Sequence, residues 1–185
     1  MVINDYLHCY DFKYSYFLNS YKDIILDHFN NRVNSSAKDV CLDERFDREL
    51  KFKPINDYIL PKLEQIVKKH YYAGENFAEG RLSVYVQPPN QSKEEESFYH
   101  NHIHVPGNIC GVFYLNLPKQ GGGFQVWNPP YLDYVLKPQL DKVYLFPTWL
   151  MHRALPHKNN INRMCFNWIY NGNIKPIHKL TGIVW

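Results

Sequence analysis

Histidine, arginine and tyrosine are the side chains of this 185-residue chain whose spacing points to chemistry. The run His100-Asn101-His102-Ile103-His104 carries imidazoles at alternate positions, and in a strand alternate side chains project to the same face. Two imidazoles one pleat apart can grip one metal ion, with a further ligand drawn from elsewhere in the chain. His152, in Phe146-Pro147-Thr148-Trp149-Leu150-Met151-His152 and just beyond a second strand-like run, is the candidate for that ligand. A tripod of this kind leaves coordination positions open for water, oxygen or substrate, which is the hallmark of a catalytic metal site. Spacing alone leaves the choice among His100, His102 and His104 open, and the plain alternative is a polar, half-exposed strand face.

A second feature lies downstream, in Asn162-Arg163-Met164-Cys165-Phe166-Asn167-Trp168. A hydrophobic strand interior disfavours a guanidinium unless it meets an anion, and the planar fork of arginine suits a carboxylate. The plain alternative for Arg163 is an ordinary salt bridge.

These residues need a β-scaffold, and the pattern after Gly80 predicts one. Residues 82–87, 98–104, 109–117, 123–128, 134–137, 143–146, 152–156 and 163–170 are short runs rich in aromatic and β-branched residues, separated by Pro-Pro, Pro-Gly, Gly-Gly-Gly, Asn-Pro-Pro, Lys-Pro and Asn-Asn. Short strands at this spacing imply a β-sandwich or jelly roll. Upstream, 5–18 alternates Phe12, Tyr14 and Tyr16 with Lys13 and Ser15 and reads as an edge or half-buried strand. Asn19 or Ser20 is placed to cap a helix with an apolar stripe at Tyr21, Ile24, Ile25, Phe29 and Val33, in which His28 reads as a packed boundary residue. The charged stretch 34–54 reads as a loop or short surface helix. A second helix carries Leu60, Leu63, Ile66, Val67 and Tyr71 on one side, with Pro61 expected in its first turn and Gly74 at its end. Each helix has one apolar side and needs a sheet to cover. The loop around Glu94-Glu95-Glu96 is placed to act as a lid over the histidines.

Composition narrows the class. Hydrophobic residues at 45% and charged residues at 21% are ordinary for a globular domain of this length, so one core is expected. A formal charge of +3, with the lysines and arginines scattered, is too small to argue for a nucleic-acid or membrane partner, and neither is expected. Cys9, Cys41, Cys110 and Cys165 lie far apart, and no leader-like opening or membrane-length apolar run is present, so a soluble, reduced, cytoplasmic protein is expected.

In order and spacing, the strand with His-x-His, then Tyr114-Leu115-Asn116, then Gly121-Gly122-Gly123, then Phe146-Pro147 leading to His152, then Arg163, resembles the Fe(II)- and 2-oxoglutarate-dependent oxygenases, particularly the prolyl-hydroxylase-like branch. The resemblance covers about 82–168. It implies an α+β, mainly β fold: a double-stranded β-helix (jelly roll) core over 81–170, with N-terminal helices in 1–80 packed on one sheet and a tail over 171–185, all in one domain. It implies Fe(II) held by His102, His104 and His152, the choice of His102 and His104 preserving the offset from Tyr99 found in the family's Tyr-x-x-His-x-Asp pattern. His100 is then left as a residue behind the site or at the surface. It further implies 2-oxoglutarate as cosubstrate, with O2, its far carboxylate paired with Arg163 and helped by Tyr114, and Tyr99 and Gln87 as additional cosubstrate contacts. The implied reaction decarboxylates 2-oxoglutarate to succinate and hydroxylates a C–H group of a small molecule or of a protein or peptide substrate such as a prolyl residue. Trp127, Tyr131 and Trp149 are candidates to line its pocket. The chain departs from the family at His104, where an acid is usual, and a neutral imidazole leaves the metal site more positive.

Other classes compete. A cupin-like metalloprotein shares the β-helix and His-x-His but needs neither Arg163 nor Tyr114. A three-histidine zinc hydratase resembling carbonic anhydrase tolerates the ligand set in a longer chain. A metal-free jelly-roll binding protein would leave the histidines merely exposed.

Overall fold

Alternation along the central strands decides how the layers stack. The computed structural model describes residues 7–33, 44–45, 50–73, 81–87, 99–100, 109–128, 132–157, 159–170 and 174–176. In order these form β1 (His8–Asp11), α1 (Ser15–Leu18), α2 (Lys22–Val33), β2 (Glu44–Arg45), α3 (Lys53–His70), β3 (Tyr71–Ala73), β4 (Arg81–Gln87), β5 (Tyr99–His100), β6 (Ile109–Asn116), β7 (Phe124–Asn128), β8 (Leu132–Leu136), β9 (Lys142–Pro147), β10 (Met151–Ala154), β11 (Arg163–Tyr170) and β12 (Ile174–Pro176). The chain is mostly β. A six-stranded sheet runs in the order β1-β9-β6-β11-β4-β2, a four-stranded sheet in the order β5-β10-β7-β8, and β12 pairs with β3. Every pairing is antiparallel.

Successive residues of β6 and β11 serve opposite faces of the large sheet, as the two-residue period of a strand requires. Ile109, Phe113, Leu115, Met164, Phe166, Trp168 and Tyr170 join one core with Ile25 and Phe29 of α2 and Ile55, Ile59, Leu63 and Val67 of α3. Cys110, Val112 and Tyr114 turn the other way and meet Phe124, Val126 and Leu136 of the smaller sheet. The large sheet therefore carries helices on one face and the second sheet on the other. Gly111 makes room for the side chains of its strand neighbours, because a Cβ there would lie 2.8 Å from Leu145 Cδ2 and 3.0 Å from Trp168 Cε3.

The strand runs expected from the punctuation correspond to β4 through β11, although of 98–104 only Tyr99 and His100 fall among the described residues. The helices differ more. Pro61 sits inside α3, two turns after its start, and not in its first turn. A mid-helix proline costs about 3 kcal/mol. The stripe Ile55, Ile59, Leu63, Val67 is fully buried, and burying one such side chain gains roughly 1.5–3 kcal/mol, so the residues upstream of Pro61 offset its cost. Pro61 itself faces solvent. The helix ends at His70, and Gly74 lies outside the described residues. In α2 Ser20 does not cap: its hydroxyl donates back to the Phe17 carbonyl (2.7 Å), a 3₁₀ turn at Asn19–Tyr21 leads in, and Ile24 faces solvent. Within 34–54, Glu44 and Arg45 pair with β4, and a turn at Leu50–Phe52 enters α3. The proposed lid, like Cys41, lies outside the described residues. No helix among the described residues is long and apolar enough to cross a membrane.

The expected strand over 5–18 breaks after Asp11, because a residue far along the chain captures the backbone there. Asp141, in the turn before β9, has φ +56°. Its Oδ1 accepts from the Tyr14 and Ser15 N–H groups (2.9 Å each), its Oδ2 from the Ser15 hydroxyl (2.8 Å), and its carbonyl from the Phe12 N–H (2.9 Å). This caps α1 in trans and turns the chain into it. Burial on its own raises the Asp141 carboxyl, but the hydrogen bonds from Ser15 and Tyr14 outweigh it and hold the group below the ordinary carboxylate range. A carboxyl lowered by folding contributes stability above its unfolded pKa, about 3.9, and loses it as pH falls through the folded value. Asp141→Ala is expected to cost about 1–2 kcal/mol at neutral pH. Asp141→Gly, which relieves the positive φ but lacks the cap, should lose somewhat less, and both should unfold less steeply with acid than wild type. Denaturant titrations at pH 7 and pH 3 measure this. Equal acid sensitivity of all three proteins would contradict the capping role.

Candidate active site

Between the two sheets lies a cavity of about 60 Å³ lined by Gln87, Val112, Tyr114, Phe124, Phe146, His152, Arg163, Cys165 and Asn167, among others. That is several times the roughly 10–15 Å³ a single water needs. Three antiparallel strands deliver its polar end. Arg163 opens β11 directly opposite Gln87 of β4, and Cys165 lies opposite Tyr114 of β6. Directly opposed residues share a face, so the three side chains meet.

Arg163 is 2% exposed. Its Nη2 donates to the Tyr114 hydroxyl (3.0 Å) and its Nη1 to Gln87 Oε1 (3.2 Å), while the guanidinium sits 5.0 Å from the centroid of the Tyr114 ring. Among the described residues its Nε has no hydrogen-bond partner and no carboxylate pairs with it. A buried, uncompensated cation facing a cavity is unfavourable unless an anion completes it. Burial raises the Tyr114 phenol well above its ordinary value, and Arg163 only partly opposes this, so the phenol stays protonated. Its oxygen accepts from Arg163 and its proton remains to be donated. The pair thus presents two buried donors whose chemistry suits a carboxylate.

His152 lines the opposite side, 5% exposed, with its ring 4.7 Å from that of Phe146 and 5.5 Å from that of Phe124. Its Nδ1 lies 2.9 Å from the Leu150 carbonyl oxygen, which can only accept. In neutral imidazole the proton is therefore on Nδ1 and the lone pair on Nε2, the tautomer a metal ligand needs. The β5–β10 register sets His100 opposite His152 and Tyr99 opposite Arg153. The chain that carries the histidine run thus arrives beside His152. His102 and His104 lie outside the described residues, and among the described residues no group of His, Cys, Asp and Glu forms a metal site.

Several contributors escaped the sequence reading. Cys165 and Asn167 line the cavity because they follow Arg163 at the strand period, a signal that Arg163 itself provided. Asn116 donates to the Asn162 carbonyl (2.6 Å) and accepts from Lys22 (3.2 Å), tying the residue before Arg163 to α2. Buried His157 sits 3.4 Å from the Gln87 carbonyl, and burial lowers its pKa below the ordinary imidazole value. Gly121 and Gly122, at φ +73° and +64°, turn the hairpin against it, where a Cβ on Gly121 would lie 3.1 Å from His157 Cα. Trp149 packs on the inner core rather than lining the cavity, and the side chains of Trp127 and Tyr131 lie outside the described set.

No protein-family model and no curated protein matches the sequence. Solved structures do. A prolyl hydroxylase from Trichoplax adhaerens, in complex with a hypoxia inducible factor oxygen degradation domain peptide fragment, superposes with TM-score 0.66 and 14% identity over 91% of this chain and 84% of that one. A Pseudomonas putida prolyl-4-hydroxylase gives 0.58 and 12% over 89% and 92%. The fold is that of a prolyl-hydroxylase-like 2-oxoglutarate oxygenase. The viral collagen prolyl hydroxylase of Paramecium Bursaria Chlorella virus-1, in its 2-oxoglutarate complex, gives 0.52 and 17% over 90% and 96%.

The unpaired guanidinium makes a prediction about stability. Arg163→Met fills similar volume and removes a buried cation that no described carboxylate neutralises, which offsets the roughly 1–3 kcal/mol of leaving the Tyr114 and Gln87 acceptors without their donor. Without ligand the variant should melt near the wild-type temperature, and added dicarboxylate should stabilise only the wild type. Marked destabilisation of the unliganded variant would show that Arg163 serves the fold and not a ligand.

Proposed function

We propose that the chain is an Fe(II)- and 2-oxoglutarate-dependent dioxygenase on a double-stranded β-helix, formed as one catalytic domain. The observation that carries the reading is buried Arg163, held by Tyr114 and Gln87 and lacking a described carboxylate, in the same cavity as His152.

The donor set suits the groups this activity needs. Arg163 Nη2 and Nε, with the Tyr114 hydroxyl proton, offer a carboxylate the side edge of the guanidinium. His102, His104 and His152 would hold the metal, His152 through the lone pair that its Nδ1–H···Leu150 bond assigns to Nε2. An imidazole at His104 in place of the usual acid leaves this ligand set neutral, so more positive charge remains on the metal to attract a dianionic cosubstrate. When bound, Fe(II) with 2-oxoglutarate and O2 supplies the oxidising chemistry, which converts the cosubstrate to succinate and CO2 and a C–H group to C–OH.

The chain's own residues do the rest. Arg163 and Tyr114 orient the distal carboxylate, Gln87 fixes the guanidinium, and Tyr99 is assigned as a further contact. Phe124, Phe146 and Val112 make the walls apolar and keep water from the reacting end. For the prime substrate we propose a peptidyl residue such as proline, with a small molecule as the alternative; two of the structural neighbours are prolyl 4-hydroxylase and prolyl hydroxylase enzymes, and one of these holds a peptide. A cupin-like metalloprotein would have no use for the Arg163–Tyr114 pair.

Anaerobic titration separates the readings. Wild-type protein with Fe(II) should develop a weak visible charge-transfer band when 2-oxoglutarate is added, and His152→Ala should not. Wild type that binds Fe(II) yet gives neither a band nor any response to 2-oxoglutarate would overturn the oxygenase reading in favour of the cupin-like one.

A further inference from the structure

Tyr14 reaches the Arg163–Tyr114 pair from the far side of the sheet. Pairing between β6 and β9 stops at Phe113↔Val143, and on the other edge the β6–β11 ladder slips, Cys165 facing Tyr114 and Met164 facing Asn116. Leu115 is thus an extra residue in a bulge, and Tyr114, still opposite Cys165 on the β11 side, has no β9 partner on the other. Bulges re-aim side chains next to functional sites. The Tyr14 hydroxyl takes the place of the missing strand at this one residue: it donates to the Tyr114 carbonyl (2.7 Å) and accepts from the Tyr114 N–H (3.1 Å).

The clamp is rigid and stays protonated. Tyr14 is 1% exposed, with its ring 4.9 Å from that of Phe113 and 5.1 Å from that of Phe12. Burial pushes its phenol up, so the proton needed for the carbonyl remains. Its backbone is held in turn by Asp141.

We propose that Tyr14 is a positioning residue for carboxylate binding: by clamping the Tyr114 peptide on the helix side it sets the direction of the Tyr114 phenol toward Arg163 on the cavity side. This rests on the cosubstrate reading given above. Removing the Tyr14 hydroxyl leaves two buried peptide groups without that partner and lets the bulge rotate, which moves the phenol and not the bulk of the core.

The test is a double-mutant cycle of Tyr14→Phe and Tyr114→Phe, read as the 2-oxoglutarate dissociation constant by calorimetry on the Fe(II)-loaded full chain without oxygen, with Leu63→Ala, a buried core position of α3, as a control for general loosening. Tyr14→Phe should weaken binding roughly tenfold, about one hydrogen bond's worth. In the Tyr114→Phe background it should have little further effect, because the two act as one unit. Leu63→Ala should lower the melting temperature while leaving the constant unchanged. Unchanged affinity in Tyr14→Phe, additive effects, or equal weakening by Leu63→Ala would each overturn the proposal. If Tyr14→Phe does not fold, Asp141→Asn, which loosens the anchor and keeps the phenol, replaces it with the same expectations at smaller size. If wild type binds no 2-oxoglutarate, the oxygenase reading fails on its own. The NMR signal of the Arg163 Nε–H then decides the clamp: it should shift in Tyr14→Phe and not in Leu63→Ala, and an unmoved signal would refute it.

Discussion

A guanidinium buried to 2% exposure without a described carboxylate is the constraint on which the rest depends. Two neutral acceptors, Tyr114 and Gln87, orient it without neutralising it. The fold tolerates this because β11 is anchored on both sides, by β4 and β6, and because its alternate residues Met164, Phe166 and Trp168 are buried against the helix core. The stability lost at one residue is supplied by its neighbours in the same strand. Under the proposed function, the unfavourable charge is also what an anionic cosubstrate would relieve on binding.

The same two-residue period links structure to site throughout. Each strand of the large sheet that reaches the cavity also reaches the helices, so α2 and α3 cover one face while Tyr114, Cys165, Asn167 and Arg163 look out from the other. Positioning is therefore relayed through the sheet. Asn116 links Lys22 of α2 to the residue before Arg163, and Tyr14 links the Asp141 corner to the backbone of Tyr114. The apolar walls complete the site: Phe124 and Phe146 flank the His152 ring and line the cavity that Arg163 also lines, so a charge placed there is screened less than in water.

What the sequence displayed was local. Strands β4 through β11 were legible because Gly and Pro punctuation separates them and because their aromatic and β-branched runs repeat. Arg163 stood out as a cation in an apolar run, and its partnership with Tyr114 followed from the family order. The misreadings came where distant residues override local pattern. Pro61 marks a helix start by local rules, yet the stripe upstream of it is buried. Phe12-Lys13-Tyr14-Ser15-Tyr16 alternates like a strand, yet Asp141 bends it into a helix, and the hydroxyl of Tyr14 meets a peptide 100 residues away. Nothing in the local sequence around Tyr14 announces that contact. His102 and His104 remain assigned by resemblance, with the His100↔His152 register as the described point nearest to them.

The central claim is that the cavity reads a carboxylate through Arg163. It is tested most directly by comparing, on the Fe(II)-loaded protein without oxygen, the dissociation constants of 2-oxoglutarate and 2-oxopentanoate, which has the same chain length and lacks the distal carboxylate. A charged group bound by charge-assisted hydrogen bonds contributes about 1.5–3 kcal/mol, so the diacid should bind on the order of 10- to 100-fold more tightly. Equal affinity for the two acids would contradict the account.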